Sequence, residues 1–234
     1  MPRGARTTMP LIDAVIFDMD GVLIDSEPFW RQAEVAALAR VGVPITDDLA
    51  RLTTGLRTDE VVEYWWARHP WQGPTRQEVA SEIIRELIAL VRTKGTAMPG
   101  AIETVDAIAA MDIPVGIASS SSSEVIAAVV ERLNLGDRFR VLQSAEHEPY
   151  GKPHPAVYIE AARRLDASPA RCVAIEDSPN GVIAAKAAKM RCIAVPDHEL
   201  AGDHRIHAAD AKLNSLQEFN PALFDGWLRT WFGS

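Results

Sequence analysis

The spacing of apolar positions changes period along this chain, and the changes divide it into parts. Ala14-Val15-Ile16-Phe17 is a short unbroken apolar run bounded by Asp and Gly. Such a run predicts a buried parallel strand that ends in a loop, the two together covering residues 11–27. A helical stretch follows with no convincing strand. Residues 29–41 are apolar on one face through Trp30, Ala33, Ala37 and Val41, and stop at Gly42. Residues 58–69 pair Val61 with Trp65 and Val62 with Trp66 at i,i+4, and Pro70 ends them. Residues 76–93 set Val79, Ile83, Leu87 and Val91 on one stripe, which is helical spacing. Gly95 and Pro99-Gly100 close this region.

From about residue 100 helix and strand alternate. Predicted helices over 101–111, 123–133, 155–165 and 179–189 each precede predicted strands over 114–119, 140–144, 171–176 and 191–196. Repeated alternation of this kind makes a parallel sheet covered on both faces. The expected fold is α/β, a doubly wound parallel sheet of Rossmann-like type with an inserted α-helical cap domain. One strand comes before the insert and four after it. The core would take residues 9–27 and 96–234, the cap 28–95, and residues 1–8 would be a disordered tail. Near the C-terminus Trp227, Trp231 and Phe232 have the spacing of a short helix packed on the core, with an interface as the alternative.

Composition narrows the function classes. The chain has 234 residues, 47% hydrophobic and 24% charged, an ordinary globular balance. The net charge is −8 with no basic stripe, which argues against a nucleic-acid partner. A negative protein that binds an anion must gather cations locally or borrow a metal. No apolar stretch reaches the roughly 18 residues of a membrane span, and no apolar segment follows Arg3 and Arg6 to make a secretory signal. Cys172 and Cys192 lie in apolar runs without metal-ligand spacing, so buried reduced thiols in a cytoplasmic protein are expected. A monomer is the default for a capped core with no obvious apolar patch.

The chemistry gathers at predicted strand ends. Asp18-Met19-Asp20-Gly21 closes the first strand. Two carboxylates so placed repel each other and need a cation, a proton or strong donors. The second strand ends in Ser119-Ser120, hydroxyls at a helix start that can bind an anion, although an N-cap serine alone also explains them. Lys152 follows the third strand in a loop stiffened by Pro153 and Pro155, where it could reach a phosphate as a point charge. The fourth strand ends in Glu176-Asp177, and hard oxygens at two strand ends suit Mg²⁺; an N-cap acid is the plain alternative for Asp177. Each element alone is weak, but one structural cause for the ordered set is improbable. These groups suit phosphoryl transfer, with Asp18 as nucleophile, Asp20 as general acid and base, and Lys152 and Ser119 stabilising charge.

From Asp13 to Leu216 the chain resembles the haloacid dehalogenase superfamily of phosphotransferases, with Asp18-x-Asp20, Ser119, Lys152 and Glu176-Asp177 as its four motifs. The resemblance implies Mg²⁺ bound by Asp18, the Asp20 carbonyl and Asp177, with Glu176 as a further candidate ligand. Residues 25–30, Gly55-Leu56-Arg57, Trp65-Trp66-Ala67-Arg68 and the segment 70–74 look like the branch of hexitol and 2-deoxyglucose-6-phosphate phosphatases. That branch implies hydrolysis of small sugar or sugar-alcohol phosphates. The related β-phosphoglucomutases, the mutase alternative, have a histidine where this chain has Trp30. Trp30 is expected to line the site and Arg57 to contact substrate, with a solvated surface arginine the equal alternative. Trp65, Trp66 and Trp71 read better as cap core than as a sugar platform. Receiver domains share an acceptor Asp, a Ser/Thr, a Lys and an acidic pair, but lack an acid at the place of Asp20 and lack the helical insert.

Overall fold

The computed structural model describes residues 11–197, 200 and 202–233, so the segment read as a tail lies outside the described residues. Six parallel strands form one sheet: β1 (Ala14–Phe17), β2 (Val115–Ser119), β3 (Val141–Ser144), β4 (Cys172–Glu176), β5 (Arg191–Ala194) and β6 (Ala211–Lys212). Their order is β3-β2-β1-β4-β5-β6. Five strands were expected from the pattern. The sixth, β6, is two residues long and pairs Ala211 with Ile193, too short to leave an apolar run.

Successive side chains along each strand alternate in bulk as well as in the face they cover. Val15, Phe17, Val115, Ile117, Val173, Ile175 and Ile193 face one apolar cluster. Ala14, Ile16, Ala118, Cys172, Ala174, Cys192 and Ala194 face the other. Against that second face lie buried residues of α7 (Ala156–Arg164) and α8 (Pro179–Ala187), among them Tyr158, Ala161, Ala162, Ala184 and Ala185. Small side chains on both partners let helix and sheet approach closely. Both cysteines are free and buried there.

Between β1 and β2 come α1 (Glu27–Arg40), α2 (Asp47–Ala50), a 3₁₀ turn (Arg51–Thr53), α3 (Thr58–Arg68) and α4 (Arg76–Lys94), then α5 (Ala101–Ala109). The stripe Val79, Ile83, Leu87 and Val91 is buried, as its spacing requires. Thr75 and Glu78 start α4 with a reciprocal cap: the Thr75 amide donates to Glu78 Oε2 at 2.7 Å, and the Glu78 amide to Thr75 Oγ1 at 3.2 Å. Trp65 is buried, whereas Trp66 and Trp71 are half-buried. The insert's buried residues join the larger apolar cluster of the sheet, so insert and core share one hydrophobic mass on that face. The α6 helix (Ser123–Arg132) covers the sheet between β2 and β3.

The C-terminal helix, α9 (Pro221–Phe232), buries Phe224 and Leu228, and Trp227, Trp231 and Phe232 pack partly buried against the same apolar cluster, as their spacing suggests. Trp227 and Trp231 are half-buried and stack at 5.8 Å. No helix among the described residues is long and apolar enough to cross a membrane.

Candidate functional site

Because all six strands are parallel, the loops after β1, β2, β3 and β4 open on one edge. The strand order reverses direction between β1 and β4, and that junction is where open α/β sheets place ligands. The Asp18 amide donates to the Ile175 carbonyl at 2.9 Å, so Asp18 extends the β1–β4 ladder by one residue. The chain then turns sharply. The Met19 carbonyl accepts from the amides of Val22 and Leu23 at 3.3 and 2.8 Å. Gly21 sits at φ +75°, and a Cβ there would lie 2.2 Å from Asp177 Oδ2. Only glycine lets the two acidic loops touch.

Lys152 is buried and joins three of the strand ends. Its Nζ donates to Asp18 Oδ1 at 2.6 Å, Glu176 Oε1 at 2.6 Å and the Ala118 carbonyl at 3.0 Å. Burial disfavours the ammonium, but Asp18 and Glu176 outweigh it and hold the Lys152 pKa above the usual lysine range. Burial pushes the Asp18 carboxyl up to about 7; Lys152 opposes this, while Glu176 and Asp20 reinforce it. Burial, followed by repulsion from Glu176 and Asp18, likewise raises Asp177 well above the carboxylate range. Glu176 lies behind this cluster, fully buried. Its Oε1 also accepts from the Tyr158 hydroxyl at 2.8 Å. Its Oε2 accepts from the amides of Asp177 and Ser178 and from Ser178 Oγ, each at 3.1 Å. Five donors thus satisfy this carboxylate.

Asp20 has a separate set of partners. Its Oδ1 accepts from Ser26 Oγ at 2.5 Å and from the Trp30 indole at 3.0 Å. Its Oδ2 accepts from Ser121 Oγ at 2.7 Å and Ser119 Oγ at 3.4 Å. Ser119 Oγ in turn accepts the Ser121 amide at 3.0 Å. The serine run that follows β2 therefore has a use at its third position as well as its first. Ser121 and Ser26 were not singled out from the sequence. Ser26 is the residue before α1, and the DSE triplet Asp25-Ser26-Glu27 that carries it was visible, but its reach back to Asp20 was not.

Ligand oxygens of Asp18, Glu176 and Asp177 all lie within 4.8 Å of one another, and all three residues are buried. Such a set of hard oxygen donors could hold a divalent cation. Asp18 and Asp177 are the freer members, since Glu176 is satisfied by the five donors named above.

A cavity of about 230 Å³ lies over these groups. Asp18, Asp20, Ser119, Ser120, Ser121, Lys152 and Asp177 line its core side. Trp30, Arg31, Glu34, Thr53 and Thr54 line its helical side. Arg57 is not among its lining residues. Its guanidinium donates instead to the carbonyls of Ala145 at 3.1 Å and Glu148 at 2.8 Å, and to Asp59 at 2.8 Å. It ties the start of α3 to the loop after β3.

Comparison with known proteins agrees with this arrangement. Residues 12–189 match the family described as haloacid dehalogenase-like hydrolase. Hexitol phosphatase B of Escherichia coli is 48% identical over 207 residues, covering 88% of this chain and 93% of its own. A crystal structure of CbbY from Rhodobacter sphaeroides in complex with xylulose-1,5-bisphosphate superposes with a TM-score of 0.80 at 27% identity, over 88% of this chain and 96% of its own. A β-phosphoglucomutase from Clostridium difficile has a TM-score of 0.82 at 21% identity, over 95% of this chain and 100% of its own, a likeness of fold. With the motif residues converging at one sheet edge and a match over most of its length, this chain belongs to the haloacid dehalogenase-like hydrolases.

Proposed function

We propose that this protein is a Mg²⁺-dependent phosphatase of small sugar or sugar-alcohol phosphates that works through an aspartyl-phosphate on Asp18. One observation carries the reading. The buried Asp18 carboxylate, ion-paired to Lys152 at 2.6 Å, opens into a cavity of about 230 Å³ roofed by helices, in a chain 48% identical to a hexitol phosphatase. A cavity of that kind, polar at its core side and walled by helices, has room for a phosphorylated sugar or polyol.

Asp18 attacks phosphorus with one carboxylate oxygen, and the bond to the ester oxygen breaks. Asp20 gives its proton to that leaving oxygen, which departs as the alcohol. Water then attacks the phosphoryl group, Asp20 takes the proton, and phosphate leaves with Asp18 restored. Lys152 orients Asp18 and offsets charge on the transferring group. Ser119 and Ser120 supply hydroxyls at the phosphate. Trp30 and Ser121 hold the Asp20 carboxylate through the contacts described above. Segment 28–95 acts as the cap that admits one alcohol over another, and Arg57 fastens that cap to the core.

The donor set fits Mg²⁺. Asp18, Asp177 and the Asp20 main-chain oxygen would hold it, and it would neutralise the phosphate and keep Asp18 ionised. Glu176 positions Lys152 and the Asp177 loop.

The test is phosphate release from a panel of hexitol, hexose and 2-deoxyhexose phosphates, after EDTA treatment and again with Mg²⁺. Release that EDTA stops and Mg²⁺ restores supports the reading. Isomerisation of β-glucose 1-phosphate without free phosphate would instead establish a mutase.

A further inference from the structure

The cavity has a buried acid that the phosphate chemistry does not use. Glu34 is 5% exposed and Thr53 1% exposed, yet both line the cavity. Thr53 Oγ1 donates to the Ala50 carbonyl at 2.9 Å and approaches Glu34 Oε2 at 3.2 Å. Glu34 follows Trp30 by four residues on α1, so the two share a helix face, about 6 Å apart along the axis. Trp30 is the residue that reaches Asp20. The α1 helix therefore presents an indole at the proton donor and, one turn on, a carboxyl.

Among the described residues no cation forms an ion pair with that carboxyl. Arg31, its neighbour on α1, turns its guanidinium to Asp47 at 3.1 Å and Glu27 at 3.7 Å. A leucine in the same space would avoid the cost of burying a polar acid. Burial pushes the Glu34 carboxyl up to about 8; the Thr53 hydrogen bond opposes this and Glu27 reinforces it. At neutral pH the group is mainly protonated, so it can both donate and accept a hydrogen bond. An alcohol hydroxyl has the same two capacities.

We propose that Glu34 and Thr53 recognise a hydroxyl of the leaving alcohol remote from the phosphoester oxygen, and so select longer polyol or sugar phosphates over short ones. The inference rests on the sugar-phosphatase reading above. One turn of helix corresponds to roughly five covalent bonds of an extended chain. A hexitol phosphate spans that distance from its ester oxygen, and a glycerol phosphate does not.

The test compares kcat/KM for sorbitol 6-phosphate and glycerol 3-phosphate, using the Mg²⁺-loaded enzyme and its Glu34→Leu, Glu34→Gln and Thr53→Val variants. The six-carbon to three-carbon ratio is expected to fall roughly tenfold or more in Glu34→Leu and in Thr53→Val. Glu34→Gln keeps most of the ratio, because an amide also donates and accepts. If Glu34→Leu does not fold, Thr53→Val and Glu34→Gln carry the comparison. Ratios within roughly twofold of wild type in the leucine and valine variants overturn the inference while leaving the phosphatase reading intact. A wild-type enzyme that releases no phosphate from any polyol or sugar phosphate overturns both.

Discussion

Gly181→Ala tests the buried polar cluster without touching any residue that meets substrate. Gly181 lies in the first turn of α8, and its amide donates to Ser178 Oγ at 3.0 Å. A Cβ there would sit 1.8 Å from Glu176 Oε1 and 2.1 Å from Oε2. The carboxylate must retreat by roughly 1 Å, or the helix must move by as much. Either shift strains the bonds from Lys152 and Tyr158, now 2.6 and 2.8 Å long. A hydrogen bond to a charged group contributes about 1.5–3 kcal/mol, so weakening two of them costs several kcal/mol. Alanine in a helix returns about 1 kcal/mol over glycine. The net expectation is a loss of about 2–4 kcal/mol, which for a chain of this size lowers the melting temperature by on the order of 10 °C. Phosphate release should fall as well, because Lys152 shares its Nζ between Glu176 and Asp18. Thermal unfolding followed by circular dichroism, with a phosphate-release assay on the same samples, measures both effects. A variant that melts no lower than wild type and keeps its turnover would show that Glu176 is not fixed as described.

Asp18→Asn should abolish phosphate release while the protein still folds, since the amide keeps the shape of the carboxylate but is a poor nucleophile; activity retained in a freshly purified sample would exclude Asp18 as the nucleophile. Tyr158→Phe removes one of the five donors to Glu176 and should cost about 1–2 kcal/mol of stability by urea titration, with a smaller loss of turnover than Gly181→Ala. Trp30→Phe keeps the ring but deletes the indole donor to Asp20, and should lower kcat more than it raises KM. Glu34 also gives a pH signature. Its folded carboxyl, at about 8, holds a proton that the unfolded one, at 4.5, has lost, so its contribution to stability falls as pH rises between those values. Glu27, pushed up to about 7 by burial, acts in the same direction. Melting temperatures across that window should therefore decline less steeply for Glu34→Gln than for wild type, and parallel curves would contradict the assignment.

What could be read from the sequence, and what could not, divides along physical lines. Asp18, Asp20, Ser119, Lys152 and Asp177 each sit at or just past the end of a predicted strand or just before a predicted helix, and a parallel sheet brings all such ends to one edge. Knowing the alternation was enough to gather them. The partners of those residues follow no such rule. Tyr158 lies on the buried face of α7 beside Val157, Ala161 and Ala162, and reads as core until its hydroxyl is found on Glu176, 18 residues away. Glu34 is a charged residue type on the helix that carries Trp30, Ala33 and Ala37, and nothing in its local pattern announces that it is buried against Thr53. Arg57 shows the same division. Its place after Gly55-Leu56 suggested a hand on the substrate, but its guanidinium meets carbonyls 88 and 91 residues further on. No local pattern carries those pairings, because main-chain carbonyls belong to every residue alike. The arginine holds the start of α3 against the loop after β3. The residues proposed to react are thus marked by their position along the chain, and those proposed to choose the alcohol only by how the helices above them pack.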